Sequence, residues 1–382
     1  MNRTTYTEHG IEVRYSTFCP QNSRSNNDGS REYCAILTSD RESRPFAEEL
    51  DAVIKAYDSL RTRLGNRVKP VFKRYFLSDI TNQAPLLPAD SDCAVSVIGQ
   101  PPLDGSRIAL WVYLIEDAEV ASLGNGFFKV SHGGYSHFWQ GCASFSGKDS
   151  ETATVELLSE YSEKMAEQCC SIADNCMRTW FFVRDVDVNY SGMVRGRNCV
   201  FSRCGLTPKT HFIASTGICG ANADRTATVT MDTYTVKGLD EGQTRYLYAP
   251  THLNPTHQYG VAFERGVRID YGDRRHVLIS GTASINNRGQ VEHVGDIVLQ
   301  TRRMWENVET LLAEADCGFD DVMHIIVYLR DVADYTVVSG MFRRKFPDIP
   351  TVIVLAPVCR PEWLVEMECM AIRRIQSDFN DF

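Results

Sequence analysis

At 382 residues the chain is too long for one ordinary hydrophobic core, which points to two or three domains. A hydrophobic fraction of 43% and a charged fraction of 23% belong to a globular protein without disordered bias. The formal charge of -9 argues against a nucleic-acid backbone as partner, which would call for clustered Lys and Arg, but it leaves room for a basic pocket holding a small anionic molecule.

The first residues, Met1 to Glu8, are polar and lack the apolar core of a secretory signal. No apolar run approaches the roughly 18 residues that a membrane helix needs. Thirteen cysteines, without a Cys-x-x-Cys pair, read as buried free thiols in a reducing compartment. A cytoplasmic protein with no membrane or nucleic-acid partner is expected.

One order of elements recurs three times. An apolar strand comes first: Tyr33 to Leu37, His137 to Ala143, and His276 to Ile285. A helical pattern follows, at about Pro45 to Leu64, Thr152 to Ala173, and Asp296 to Ala315, the last with Asp296 placed as its N-cap. Then comes a strand rich in aromatic and β-branched residues that closes on Asp: Phe72 to Asp79, Arg178 to Asp185, and Ile325 to Asp331. Second helices are plausible at Asn189 to Cys204 and Ala333 to Phe346. Strand pairs end each unit: Ala94 to Gly99 with Ile108 to Leu114, His211 to Thr216 with Thr226 to Val236, and Thr351 to Leu355 with Trp363 to Ile372.

The pattern predicts an α+β fold of three ββαβαβ repeats, over residues 1–116, 135–237 and 257–376. Glu116 to Gly134 and Lys237 to Thr256, punctuated by Gly238, Gly242, Pro250 and Pro255, read as linkers. Three sheets with helices on one face can cover each other's open faces about a pseudo-threefold axis. One chain would then complete the assembly, as a monomer or weak dimer.

Chemistry points to the last strand. Glu366 and Glu368 alternate along it and face the same way, with Val365, Met367 and Cys369 on the other face. They are either solvated or, at a sheet interface, raised in pKa as a general acid requires. Cys359 lies seven residues earlier and is a small core residue or a site residue. Ser280-Gly281-Thr282 and Ala214-Ser215-Thr216-Gly217 offer hydroxyls and amides for an anion, or small residues for tight strand packing. Arg265 and Arg268 could grip a carboxylate. His252 and His257 lack further ligands, so no metal and no cofactor are expected. Walker, Gly-x-Gly-x-x-Gly and Gly-x-Ser-x-Gly motifs are absent.

Ile279 to Ala283, Gly295-Asp296, Tyr328 to Asp331 and Leu364 to Glu368 together resemble the RidA/YjgF superfamily. The resemblance implies a chorismate mutase-like, YjgF-like fold that assembles as trimers with clefts between neighbours. The imine-deaminating branch usually carries an arginine fifteen positions before the glutamate, and here that position is Thr351. Arg178-Thr179-Trp180, Ala214 to Ile218, Phe263 to Arg265, Ile279 to Ile285, His293 to Asp296 and Cys359 to Glu368 are similar to the chorismatase family, over roughly Met177 to Ile372. That likeness implies release of pyruvate from chorismate, with Glu366 protonating the enolpyruvyl methylene. Cys359 and Gly281 match positions that differ between family branches, and their combination resembles the branch making 3-hydroxybenzoate. Arg265, Gly281, Thr282, Ser215, Thr216 and Glu368 would bind substrate, with Glu366 and Cys359 catalytic. A second carboxylate-holding residue would be sought near Ser339 and Gly340. The alternatives are an enamine or imine deaminase of small metabolites and a non-catalytic small-ligand-binding protein of the same fold.

Overall fold

The strands closing on Asp79, Asp185 and Asp331 are buried along nearly their whole length, because each lies inside a sheet covered on both faces. The structure, a computed structural model, describes residues 1–20, 29–39, 44–89 and 91–382. The first repeat runs β1 (Asn2–Glu8), β2 (Ile11–Phe18), β3 (Glu32–Ser39), α1 (Phe46–Leu64), β4 (Val68–Leu77), α2 (Ile80–Gln83), β5 (Ala94–Gly99) and β6 (Ile108–Glu116). The second runs β7 (Glu119–Gly124), β8 (Phe127–His132), β9 (Tyr135–Ser144), α3 (Ser150–Glu167), α4 (Ile172–Asn175), β10 (Cys176–Val183), α5 (Val186–Arg203), β11 (Ala214–Cys219) and β12 (Val229–Lys237). The third runs β13 (Thr244–Leu247), β14 (Gly266–Asp270), β15 (Arg274–Ala283), α6 (Ile297–Glu314), β16 (Val322–Leu329), α7 (Tyr335–Lys345), β17 (Thr351–Leu355) and β18 (Val365–Arg374).

Each repeat makes one six-stranded sheet with the same order. The first is β1-β2-β3-β6-β4-β5, and the other two follow it strand for strand. The α+β class and the threefold repetition expected from the sequence hold, with six strands per unit instead of four. Three of the additional strands lie where linkers were expected: β7 and β8 fall within Glu116 to Gly134, and β13 within Lys237 to Thr256; β1, β2 and β14 lie inside the expected repeats. Their outer members β1, β7 and β13 are short edge strands with few fully buried residues, so their core-facing alternation is weak.

Alternation along each central strand divides the core. On β4, Tyr75 and Leu77 face α1 and pack with Leu50, Val53 and Leu60, while Phe72 and Phe76 face the other two sheets. The three inner faces meet around a pseudo-threefold arrangement in which Phe72, Trp111, Trp139 and Trp180 form one aromatic cluster. Buried charge lies among these rings. Arg74 donates to Asp232 at 2.8 Å, and Arg178 donates to Glu368 at 2.8 Å, so both ion pairs cross between repeats. The edge strand of each repeat packs against the next: β5 on β9 and β11 on β15, with the third repeat returning to β2 and β3.

Capping follows the sequence. Asp296 accepts the Leu299 N–H at 2.9 Å and starts α6, and Asp331 accepts the Ala333 N–H at 2.8 Å. The cysteines depart in part from the expected burial: six are buried, five are half-buried, and Cys169 and Cys199 are exposed. Among the described residues no helix is long and apolar enough to cross a membrane.

Candidate active site

Glu366 lies on β18, opposite Ala283 of β15 on one side and Tyr328 of β16 on the other. It is 5% exposed and lines a cavity of about 40 Å³ between the second and third repeats. Gly281 makes the space. A Cβ at that position would stand 2.1 Å from Glu366 Oε1 and 3.1 Å from Thr216 Cγ2, so a side chain would drive the carboxyl away. Burial, and then the charge of Glu368, pushes the Glu366 pKa up to about 8 against the opposing pull of Arg178 and Arg265. At neutral pH it is a neutral carboxylic acid.

Three guanidinium groups line the same cavity, and two of them, Arg265 and Arg197, leave buried donors open among the described residues. Arg265, just ahead of β14, donates through Nη2 to Asn254 O at 3.0 Å and Asn254 Oδ1 at 3.2 Å, and its buried Nε has no partner among the described residues. Arg197, on α5 of the preceding repeat, bonds the Tyr190 hydroxyl yet leaves Nε and Nη2 buried and without partners among the described residues. Sequence reasoning missed Arg197. It reaches the cavity because α5 lies close on α3: a Cβ at Gly192 would be 2.2 Å from Ser150 Oγ, and one at Gly196 would be 2.6 Å from Glu151 O. The Gly192-x-x-x-Gly196 spacing was the available signal. Buried donors without acceptors cost free energy that a ligand's carboxylate oxygens would recover.

Cys359 completes one wall. Burial, and then the charge of Glu366, pushes its thiol up to about 12, so it stands as a neutral thiol and not as a nucleophile. Where the lining meets solvent, the Arg360 guanidinium stacks between Tyr259 at 4.7 Å and Trp363 at 4.8 Å.

The other residues singled out in the sequence are placed less directly. Ser215 lines the cavity, but its N–H goes to Ser280 Oγ at 2.9 Å and its hydroxyl accepts from Thr179 at 2.9 Å. The Gly281 N–H goes to Thr216 Oγ1 at 2.9 Å, so the amides expected to hold an anion instead stitch β11 to β15. Thr282 turns its hydroxyl onto Ser280 O at 2.9 Å and stays out of the cavity lining. Glu368 faces the axis, where it accepts from Arg178, from Trp180 Nε1 at 2.9 Å and from the Thr216 hydroxyl. Arg268 is held by Asp270 and Asp316, away from the cavity. Ser339 lines a different cleft, so the second cation beside Glu366 comes from the second repeat and not from α7. Among the described residues no cluster of three His, Cys, Asp or Glu is placed to hold a metal.

Strand register shows why one cleft differs. Tyr328, Phe182 and Phe76 each stand three residues before the closing Asp, and their partners on the last strand are Glu366, Thr230 and Ala109. The acid occurs once. Register also corrects the position expected of an arginine. Ile325 and Thr179, each six residues before the closing Asp, pair with Thr351 and Ser215. Thr351 lies in the other cleft, and its counterpart beside Glu366 is Ser215.

Comparison with known proteins agrees with this architecture. Residues 261–373 match the family model described as endoribonuclease L-PSP. Over 97 residues the chain is 30% identical to 3-aminoacrylate deaminase RutC of Acinetobacter baylyi, a match covering 25% of this chain and 77% of that protein. The chain belongs to the endoribonuclease L-PSP (RidA/YjgF) family. It is also 28% identical over 218 residues to 3-hydroxybenzoate synthase of Streptomyces hygroscopicus, covering 50% of this chain and 62% of the synthase's length. A crystal structure of a chorismatase superposes with a TM-score of 0.63 at 17% identity, covering 79% of this chain and 93% of that one, which is a likeness of fold.

Proposed function

We propose that this RidA-family protein is an enzyme that releases pyruvate from chorismate, or from a similar cyclic enol-ether dicarboxylate, with 3-hydroxybenzoate as the aromatic product. The observation that carries the reading is the pairing, in one cavity, of a neutral carboxylic acid with two guanidinium groups that leave buried donors without acceptors among the described residues. Similarity to 3-hydroxybenzoate synthase supports the product.

In this reading Arg197 and Arg265 take the substrate carboxylates by charge-assisted hydrogen bonds. Glu366 gives its proton to the enolpyruvyl methylene, leaving an oxocarbenium ion at the ether carbon. The ether C–O bond to the ring then breaks and its oxygen leaves as the keto oxygen of pyruvate; the hydroxyl on the adjacent ring carbon shifts to the vacated carbon, whose proton returns to the Glu366 carboxylate as the ring becomes aromatic. Pyruvate and 3-hydroxybenzoate together contain all the atoms of chorismate, so no water is consumed. A narrow cavity walled by Cys359, Ala283 and Ile285 suits a reaction from which water is excluded. Gly281 keeps the acid upright over that wall. Deamination by the arginine-dependent route has no such support, because Ser215 stands where the arginine would face Glu366.

The test is to incubate the purified protein with chorismate, following pyruvate by a coupled assay and the ring product by chromatography. Pyruvate with 3-hydroxybenzoate is the expected result. Pyruvate with a dihydrodiol would overturn the product assignment, and absence of pyruvate beside an active control enzyme would overturn the reaction.

A further inference from the structure

The pseudo-threefold arrangement creates three clefts, and they have different fates. Between the first and second repeats the backbones touch: a Cβ on Gly141 would be 2.2 Å from Val95 O, and Cys142 Sγ donates to Val97 O at 3.4 Å. That cleft is shut. The second holds Glu366. The third, between the third and first repeats, is open, with a volume of about 260 Å³, larger than the Glu366 cavity.

The third cleft repeats the cationic half of the Glu366 cavity. Arg197 lies twelve residues after Asp185 on α5, and Arg343 lies twelve residues after Asp331 on α7. Arg265 precedes Gly266, which pairs with Ile279 and through it with Cys369, the residue after Glu368. Arg14 precedes Tyr15, which pairs with Ala35 and through it with Val112, the residue after Trp111. Trp111 occupies the Glu368 position, since Arg74 and Ile326, their partners, both stand five residues before the closing Asp. Arg343 and Arg14 are thus the counterparts of Arg197 and Arg265, and both line the third cleft.

The catalytic half is missing. Ala109 stands at the Glu366 position and offers no proton. Glu12 also lines the cleft, but it is paired with Arg14 on the same face of β2, and Asp104 accepts from the Ser106 N–H at 3.0 Å and from its hydroxyl at 2.5 Å. Arg343 is exposed, and no ion pair holds it among the described residues. Ile36, Phe342 and Val352 supply an apolar wall beside these cations.

We propose that the cleft between the third and first repeats is a second, non-catalytic binding site for a small carboxylate with an apolar body, such as an aromatic acid. The carboxylate is held by Arg343 and by Arg14 in competition with Glu12, and the body lies against Phe342 and Ile36. The proposal rests on the reading of Arg197 and Arg265 as carboxylate holders, transferred by register to their counterparts.

Isothermal titration of the full chain with 3-hydroxybenzoate tests it. Two equivalents are expected for the wild type. Arg343→Glu, an exposed change on the surface of α7, should lose one equivalent and leave pyruvate release from chorismate unchanged. Arg197→Ala should lose the other equivalent and raise KM for chorismate. If the wild type takes no ligand, or one equivalent that Arg343→Glu leaves intact, the second site is refuted. Two equivalents that both survive Arg343→Glu refute it as well. Loss with Arg343→Glu but none with Arg197→Ala would instead refute the carboxylate role of Arg197 in the catalytic cavity, with the second site left standing.

Discussion

Replacing Glu366 by Gln should cut turnover sharply and stabilise the protein, by an amount that depends on pH. A carboxyl whose folded-state pKa is about 8, against an ordinary 4.5, keeps its proton in the fold while the unfolded chain gives it up. The folded state then binds more protons, and stability falls as pH rises from about 4.5 to about 8. At roughly 1.4 kcal/mol per pH unit, the wild type loses on the order of 5 kcal/mol across that window. Gln has nearly the same volume and no charge to bury, so Glu366→Gln escapes that loss. Urea unfolding of both proteins at pH 5 and pH 8.5 should show little difference at the lower pH and a clear gain for the variant at the higher. Pyruvate release should fall by about 10²–10⁴-fold, the usual contribution of a general acid. A variant no more stable at pH 8.5 than at pH 5, relative to wild type, would mean that Glu366 is ionised in the fold and cannot be the acid.

Gly281→Ala should push the Glu366 carboxyl back from 2.1 Å to an ordinary contact near 3.4 Å, a retreat of about 1.3 Å. Pyruvate release should slow about a hundredfold, as misplacement on that scale does, with a stability loss of about 1–3 kcal/mol by thermal unfolding. Cys359, held neutral by burial, should resist iodoacetamide at pH 8 while the exposed Cys169 and Cys199 are alkylated, as mass spectrometry would read. Arg178→Ala should cost about 3–5 kcal/mol by denaturant unfolding, because it removes the buried cation hydrogen-bonded to Glu368 and leaves only Arg74, at 3.8 Å.

The repeats were legible because their central strands are buried on both faces and therefore read as continuous aromatic and β-branched runs ending in Asp. Phe72 to Asp79 and Ile325 to Asp331 carry that signal even where their surroundings differ. The outer strands were not legible. β1, β7 and β13 sit at sheet edges and bury almost nothing beyond Leu247, and nothing in Glu119–Gly124 distinguishes a strand from a linker. Glu366 was readable from its alternation with Glu368, but the two carboxylates have opposite surroundings, and only three-dimensional packing sets them apart. Arg178 and Trp180 saturate Glu368, whereas Glu366 faces open space above Gly281. Arg197 was hidden for a related reason. It is an arginine in the middle of an amphipathic helix, a place where the default is solvent, and its inward turn depends on how Gly192 and Gly196 seat α5 on α3.

The most direct measurement is kcat/KM for pyruvate release from chorismate across pH 5 to 10. A general acid must be protonated to act, so the rate should hold at neutral pH and fall as pH rises through about 8, the value set by the buried carboxyl of Glu366. A rate that instead climbs with pH through that range, or is lost above about 5, would contradict the assignment of Glu366 as the proton donor.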